Sequence, residues 1–326
     1  MRQILRPGQL FALLTVAGVW QIVCLPEQAR GVMGYAGALA IQVLLLVPAM
    51  ILIGQGRPFE DVIERKKPIG WAMIGYCILW GARTLTQLRT AVPTRMQTVP
   101  GRGTTAVLLL VTVLYTATIG IRAAGRSAPP VLAVALVSAI VLTVGAWRRA
   151  DLDALTLRVD VPAAAAYVAG TGEAALLWPL AGRTGRGAVR AGMAYLAVRC
   201  LLCVGMTVLC LTAGGRLTQG AYPFFTLAAL SQPLQGQRAD ALFILVFMML
   251  AVMQLTLFAG TAAHLARVMH PRLRGTAAAA LAGMLLLTLL PADVIETAAT
   301  SLLPAAAGLL PAATLAAAAS RRRAVA

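Results

Sequence analysis

The chain has 326 residues, of which 60% are hydrophobic and 12% charged, with a mean hydropathy of +0.81. That mix excludes an ordinary soluble domain, and it defines an integral membrane protein. The formal net charge of +17 points to nucleic acid only if the cations cluster, and here they alternate from loop to loop.

Apolar runs long enough to cross about 30 Å of hydrocarbon as helix recur along the chain. Ten are predicted, over residues 8–26, 32–54, 69–92, 104–122, 128–147, 161–181, 187–213, 239–266, 274–291 and 295–319, forming a single membrane domain over 1–326. The basic start and the apolar run up to "CLPEQA" have the look of a secretory signal. The run is long for one and nine more follow, so an uncleaved first span is expected. With both termini on one side, that side holds 17 cations, among them Arg57, Arg65, Lys66, Lys67, Arg186, Arg190 and Arg267. The other side holds eight, including Arg30, Arg158, Arg216 and Arg238, while Arg83, Arg89 and Arg199 fall inside spans. The positive-inside rule then predicts cytoplasmic termini, and the charge is read as topology.

The first span contains "TVAGVWQIVCLP", with Gly18, Trp20 and the polar Gln21 near its middle. The third carries Tyr76 and Trp80 on one face at i, i+4 spacing, where they either wall a pocket or pack against lipid and neighbouring helices. The sixth contains "YVAGTGEAALLWP", which sets Gly170, Thr171, Gly172 and Glu173 in mid-span. Both the first and the sixth reach a proline soon after, Pro26 and Pro179. Ten spans divide into five and five, and many transporters pair two inverted halves whose first helices are interrupted. The matched glycines therefore predict two broken helices with freed backbone groups facing a small polar ligand; packing of small residues is the alternative.

Glu173 demands a partner, because an isolated carboxylate at mid-membrane costs at least a few kcal/mol. Either it faces the cavity, accepting from a ligand ammonium or holding the unwound segment, or it pairs with Arg199 or Arg83, or it is protonated. Gln254 in the eighth span is a weaker ligand candidate. The loop "RLTQGAYPFFTLAALSQPLQGQRAD" is expected to place a short helix on the outer surface. His264 and His270 sit near a span end, where solvation is expected. Cys200 and Cys203 form a CxxC without a second ligand pair. Neither a catalytic group, a metal site nor a cofactor motif is predicted, and no Walker sequence is present.

Several segments in order bear a resemblance to one family. "YPFFTLAALSQPLQGQRADALFILVFMMLAVMQLTLFAGTAAHLARV" resembles a stretch of the spore germination permeases, the B subunits of nutrient germinant receptors, through Tyr222, Pro223, Arg238 and Asp240. "GIRAAGR" from Gly120 to Arg126, "LRPGQLFALLTVAGVWQIVCLP" and "GEAALLWPLAGR" are similar to further stretches of that family. Arg122, where the family usually has glutamate, Trp178-Pro179 and Gln21 depart from its pattern.

The family lies within the amino acid, polyamine and organocation transporter superfamily. The resemblance therefore implies an all-α membrane protein of ten helices in a five-plus-five inverted repeat. It also implies a small germinant bound near mid-membrane, A and C partner subunits, and the inner membrane of the spore; the helix ends expected at Gly170 and Thr171 suit an amino acid. A cation-coupled amino acid transporter is the alternative, in which Glu173 carries a proton.

Overall fold

The structure, a computed structural model, describes residues 5–24, 34–95, 102–147, 150–151, 161–182, 186–214, 222–231 and 240–325. Pro26, Arg30, Arg158, Arg183, Arg216 and Arg238 lie outside them, as does the side chain of Asp240.

The described residues are helical, without a strand. The first seven helices are α1 (Pro7–Val23), α2 (Gly34–Gly54), α3 (Phe59–Arg65), α4 (Lys67–Arg95), α5 (Arg102–Ile119), α6 (Ile121–Trp147) and α7 (Val161–Ala169). A 3-10 turn (Gly172–Leu176) then leads into α8 (Leu177–Ala181), α9 (Arg186–Leu209) and α10 (Pro223–Leu230). The chain continues through α11 (Asp240–Met269), α12 (Thr276–Leu287), α13 (Ala292–Pro304) and α14 (Leu310–Val325). Among the described residues, five segments, Gly37–Gly54, Ile121–Trp147, Arg186–Ala213, Leu242–Met269 and Ala292–Ala317, are long and apolar enough to cross a membrane, and shorter apolar helices accompany them. With no water in hydrocarbon to receive backbone N–H and C=O groups, helices are the form such apolar segments must take.

The centre of the molecule is α1. Pro7 opens it at a position where its missing N–H is no loss, and Gln9 Oε1 accepts from the Arg6 N–H at 3.1 Å. From Leu10 to Val23 nearly every side chain is buried, against α6, α9, α11 and the 3-10 turn. A helix apolar around its whole circumference must be enclosed by others.

Two expectations are corrected here. The first span is not broken: α1 runs unbroken through Gly18, whose missing Cβ makes room for other side chains. A Cβ at Gly18 would stand 3.2 Å from Arg199 Cδ, 3.2 Å from Glu173 Oε1 and 3.3 Å from Tyr195 Cε2. The loop helix α10 forms, but it is docked and does not lie on the surface. Phe224, Phe225 and Leu227 are buried, and the Phe225 ring meets Phe243 and Phe247 edge-on at 4.9 and 4.8 Å. Aromatic rings in such edge-to-face pairs gain beyond their buried area.

Candidate functional site at the interrupted helix

The stretch expected as the sixth span is interrupted. α7 stops at Ala169, Gly170 and Thr171 leave helical geometry, and a 3-10 turn restarts the chain at Gly172. Short 3-10 stretches inside a helical run mark hinges or strained sequence. Gly172 is required here by close approach, since a Cβ would fall 2.3 Å from three ring atoms of Trp80.

Several of the backbone groups at the break, which the sequence suggested would face a ligand, are held by the chain's own side chains and backbone. Tyr76 OH donates to the Gly172 carbonyl at 2.9 Å. Arg199 donates to the carbonyls of Gly170 at 3.3 Å and Tyr167 at 3.5 Å. The Thr171 N–H donates to the Val168 carbonyl at 3.1 Å, and the Thr171 carbonyl accepts from the Ala174 N–H at 2.9 Å. Gln42 Nε2 donates to Thr171 Oγ1 at 2.6 Å. Unpaired backbone groups in the membrane interior cost several kcal/mol each, so this satisfaction keeps the break stable.

Glu173 is wholly buried and takes the partner on α9 from the two considered. Its Oε1 lies 3.3 Å from Arg199 Nε and accepts from Tyr195 OH at 2.6 Å, while Oε2 has no hydrogen-bond partner among the described residues. Tyr195 and Arg199 stand at i, i+4 on α9 and reach the same carboxylate. The Arg199 guanidinium also covers the Tyr167 ring at 4.3 Å, a cation-π contact.

Arg83 belongs to a second cluster. Its guanidinium donates to Glu296 at 2.6 and 2.5 Å and to Gln21 Oε1 at 2.7 Å, and lies 4.5 Å over the Trp80 ring. The two-pronged bond to Glu296 uses the planar fork that lysine lacks. Arg83 and Glu296 line a cavity of about 310 Å³ together with Gln87, Thr90, Tyr222 and Asp293. Trp20 Nε1 donates to Gln87 Oε1 at 3.3 Å. Tyr222 holds a left-handed backbone at φ 60 and donates from its phenol to the Gln87 carbonyl at 3.1 Å. Burial pushes that phenol above its usual range, opposed by its bond to Thr90, so it is protonated at neutral pH.

The ten residues singled out by sequence thus fall into two groups joined by Trp80. Gly18, Tyr76, Gly170, Thr171, Gly172 and Glu173 meet around the break. Trp20, Gln21 and Gln254 lie on the side of α1, α4 and α11. The i, i+4 and i, i+7 spacing puts Phe247, Gln254 and Phe258 on one face of α11. Phe247 packs on Trp20 at 4.6 Å and Phe258 stacks on Trp80 at 6.1 Å. Gln254 is 0% exposed, and neither its oxygen nor its nitrogen has a partner among the described residues. Tyr76 and Trp80 are buried too, 6.0 Å apart, which settles their packing against protein and not lipid. His264, expected to be solvated, is part-buried and lies 3.1 Å from Glu60.

Sequence reasoning passed over Gln42, Tyr195 and Glu296. Gln42 had a signal, a lone amide inside the run "GALAIQVLLLVP". Replacing it by leucine is expected to lower the melting stability by about 1–3 kcal/mol, because Thr171 and the Tyr167 carbonyl lose a buried donor. Thermal unfolding of the purified variant measures this, and an unchanged midpoint would mean that the amide is not used.

No family model matches the chain, and no curated protein matches it. Among solved structures, it is similar to MHP1, a nucleobase-cation-symport-1 family transporter solved in a closed conformation with bromovinylhydantoin bound. That likeness has a TM-score of 0.57 at 17% identity and covers 94% of this chain and 76% of the other. The chain therefore shares the helical fold of that protein. At this identity the likeness defines the fold alone and leaves the ligand to the chain's own residues.

Proposed function

We propose that the chain is the membrane subunit of a receptor for a small polar germinant, an amino acid by the chemistry of its site, bound near mid-membrane between α1, α4, α11 and the interrupted helix. On this reading its ten spans form two inverted halves of five, its termini are cytoplasmic, and it acts in the spore inner membrane with A and C subunits. The observation behind the site is Gln254, a fully buried amide with neither polar atom partnered among the described residues. Such a group costs about 1–3 kcal/mol, which a ligand that pairs with it recovers on binding. Gln21 Nε2, Trp80 Nε1 and Glu173 Oε2 are likewise unpartnered among the described residues and add donors and a negative acceptor. An amino acid presents the carboxylate and ammonium that match these donors and this acceptor. Ligand binding signals only if it favours one packing of the bundle over another.

The test is ligand-dependent melting of the purified protein with single amino acids. One or more is expected to raise the midpoint by mass action, and Gln254→Leu to abolish the shift while its unliganded midpoint stays level or rises. No shift with any amino acid, or a full shift in Gln254→Leu, would sink the site.

A second reading, a cation-coupled amino acid transporter, is favoured by the fold shared with a cation symporter. Uptake of labelled amino acid into proteoliposomes, driven by a proton or sodium gradient, would establish it over the receptor.

A further inference from the structure

A broken membrane helix collects oxygen ligands. Its first half ends in carbonyls at the negative end of the helix dipole, a place where transport proteins seat a monovalent cation. In this chain that place is filled from within. The carbonyls of Tyr167 and Gly170, the Oε1 of Glu173 and the face of the Tyr167 ring surround one group, the Arg199 guanidinium, at 3.5, 3.3, 3.3 and 4.3 Å. A carboxylate, two carbonyls and an aromatic face are a donor set for a cation of single charge. The side chains of Arg199 and Glu173 are both 0% exposed. The guanidinium arrives from α9 and cannot be deprotonated in a protein. Gly18 completes the seat from α1, its bare Cα leaving the arginine stem and the carboxylate their room.

We propose that Arg199 is a tethered cation that takes the place of a soluble monovalent ion at the helix break, so that the chain holds its folded state without sodium or potassium. The inference rests on the geometry of the break and not on the ligand assignment. It is therefore tested on protein without amino acid, so that its failure is separate from failure of the receptor reading. Arginine, unlike a diffusible ion, cannot leave, and the break keeps its charge in every state of the bundle. An ion gradient then has nothing to load at this seat, which separates the chain from a sodium-coupled carrier.

The experiment is thermal unfolding of the full chain in detergent, in choline, sodium and potassium chloride at equal ionic strength. The wild-type midpoint is expected to be the same in all three. Arg199→Ala is expected to fall by roughly 10 °C and to regain part of that loss in millimolar guanidinium, or in sodium over choline. Recovery of this variant only when guanidinium is present throughout purification counts as the same result. Arg199→Lys keeps a tethered charge and is expected to stay indifferent to the salt. A sodium- or potassium-dependent midpoint in the wild type or in Arg199→Lys overturns the proposal. So does an Arg199→Ala protein that no cation rescues.

Discussion

Glu173→Gln is expected to destabilise the protein by about 3–5 kcal/mol, because it strands the Arg199 charge in a fully buried site. The change is nearly isosteric, so the loss is electrostatic and is not caused by a cavity. Tyr195 loses its charged acceptor as well, and hydrogen bonds to ionised groups are worth more than those to neutral ones. Adding Arg199→Met to Glu173→Gln removes the stranded charge, and the double variant is expected to be more stable than Glu173→Gln alone. Replacing a buried pair by apolar atoms is often close to neutral, whereas removing one partner is not. Equilibrium unfolding of the two single variants and the double variant closes the cycle. Additive losses would mean that the two side chains do not act as a pair.

The second large effect is expected at Gly172→Ala. The new methyl would stand 2.3 Å from the Trp80 ring. That ring has little freedom to withdraw, since Phe258 stacks on one side and the Arg83 guanidinium lies over it. The backbone must shift instead, and the Tyr76 bond to the Gly172 carbonyl stretches with it. Overpacking of this kind costs about 1–3 kcal/mol or more, and on the proposed reading any amino acid-dependent rise of the midpoint is lost with it. Gly205→Ala on α9 is the control, since nothing lies within 4 Å of a Cβ there and the substitution is expected to leave both stability and binding intact. Gly18→Ala, with neighbours at 3.2 to 3.3 Å, is expected to fall between the two. An undisturbed Gly172→Ala protein would mean that Trp80 does not press on the break.

The two glycine sites show how far local sequence reaches. "TVAGVWQIV" and "VAGTGEAALL" give the same signal, a glycine and polar atoms inside an apolar run, and the break was expected in both. Only the second breaks. Glycine lets a backbone bend, and it also lets a neighbour come close. Which of these it does depends on what stands opposite, and at Gly18 that is Arg199, Glu173 and Tyr195 from two other elements. The same holds for the carboxylate. Two intramembrane arginines were available to Glu173, and the choice fell to Arg199 because Arg83 is held by Glu296 and Gln21 from α13 and α1.

By itself the sequence determined that the chain is a helical membrane protein, and it marked Gly170 to Glu173, together with Gly18, as places where a span could break. Transfer into hydrocarbon is nearly a sum over residues, and a cluster of glycines beside a charge is a local property. Only the tertiary structure decided which glycine bends and which gives way, which arginine answers the buried acid, and that the Gln254 amide, on the α11 face that carries Phe247 and Phe258, has no partner among the described residues. Those outcomes are set by contacts between segments far apart in the chain, whose energies depend on distance and burial and are not written in any one segment.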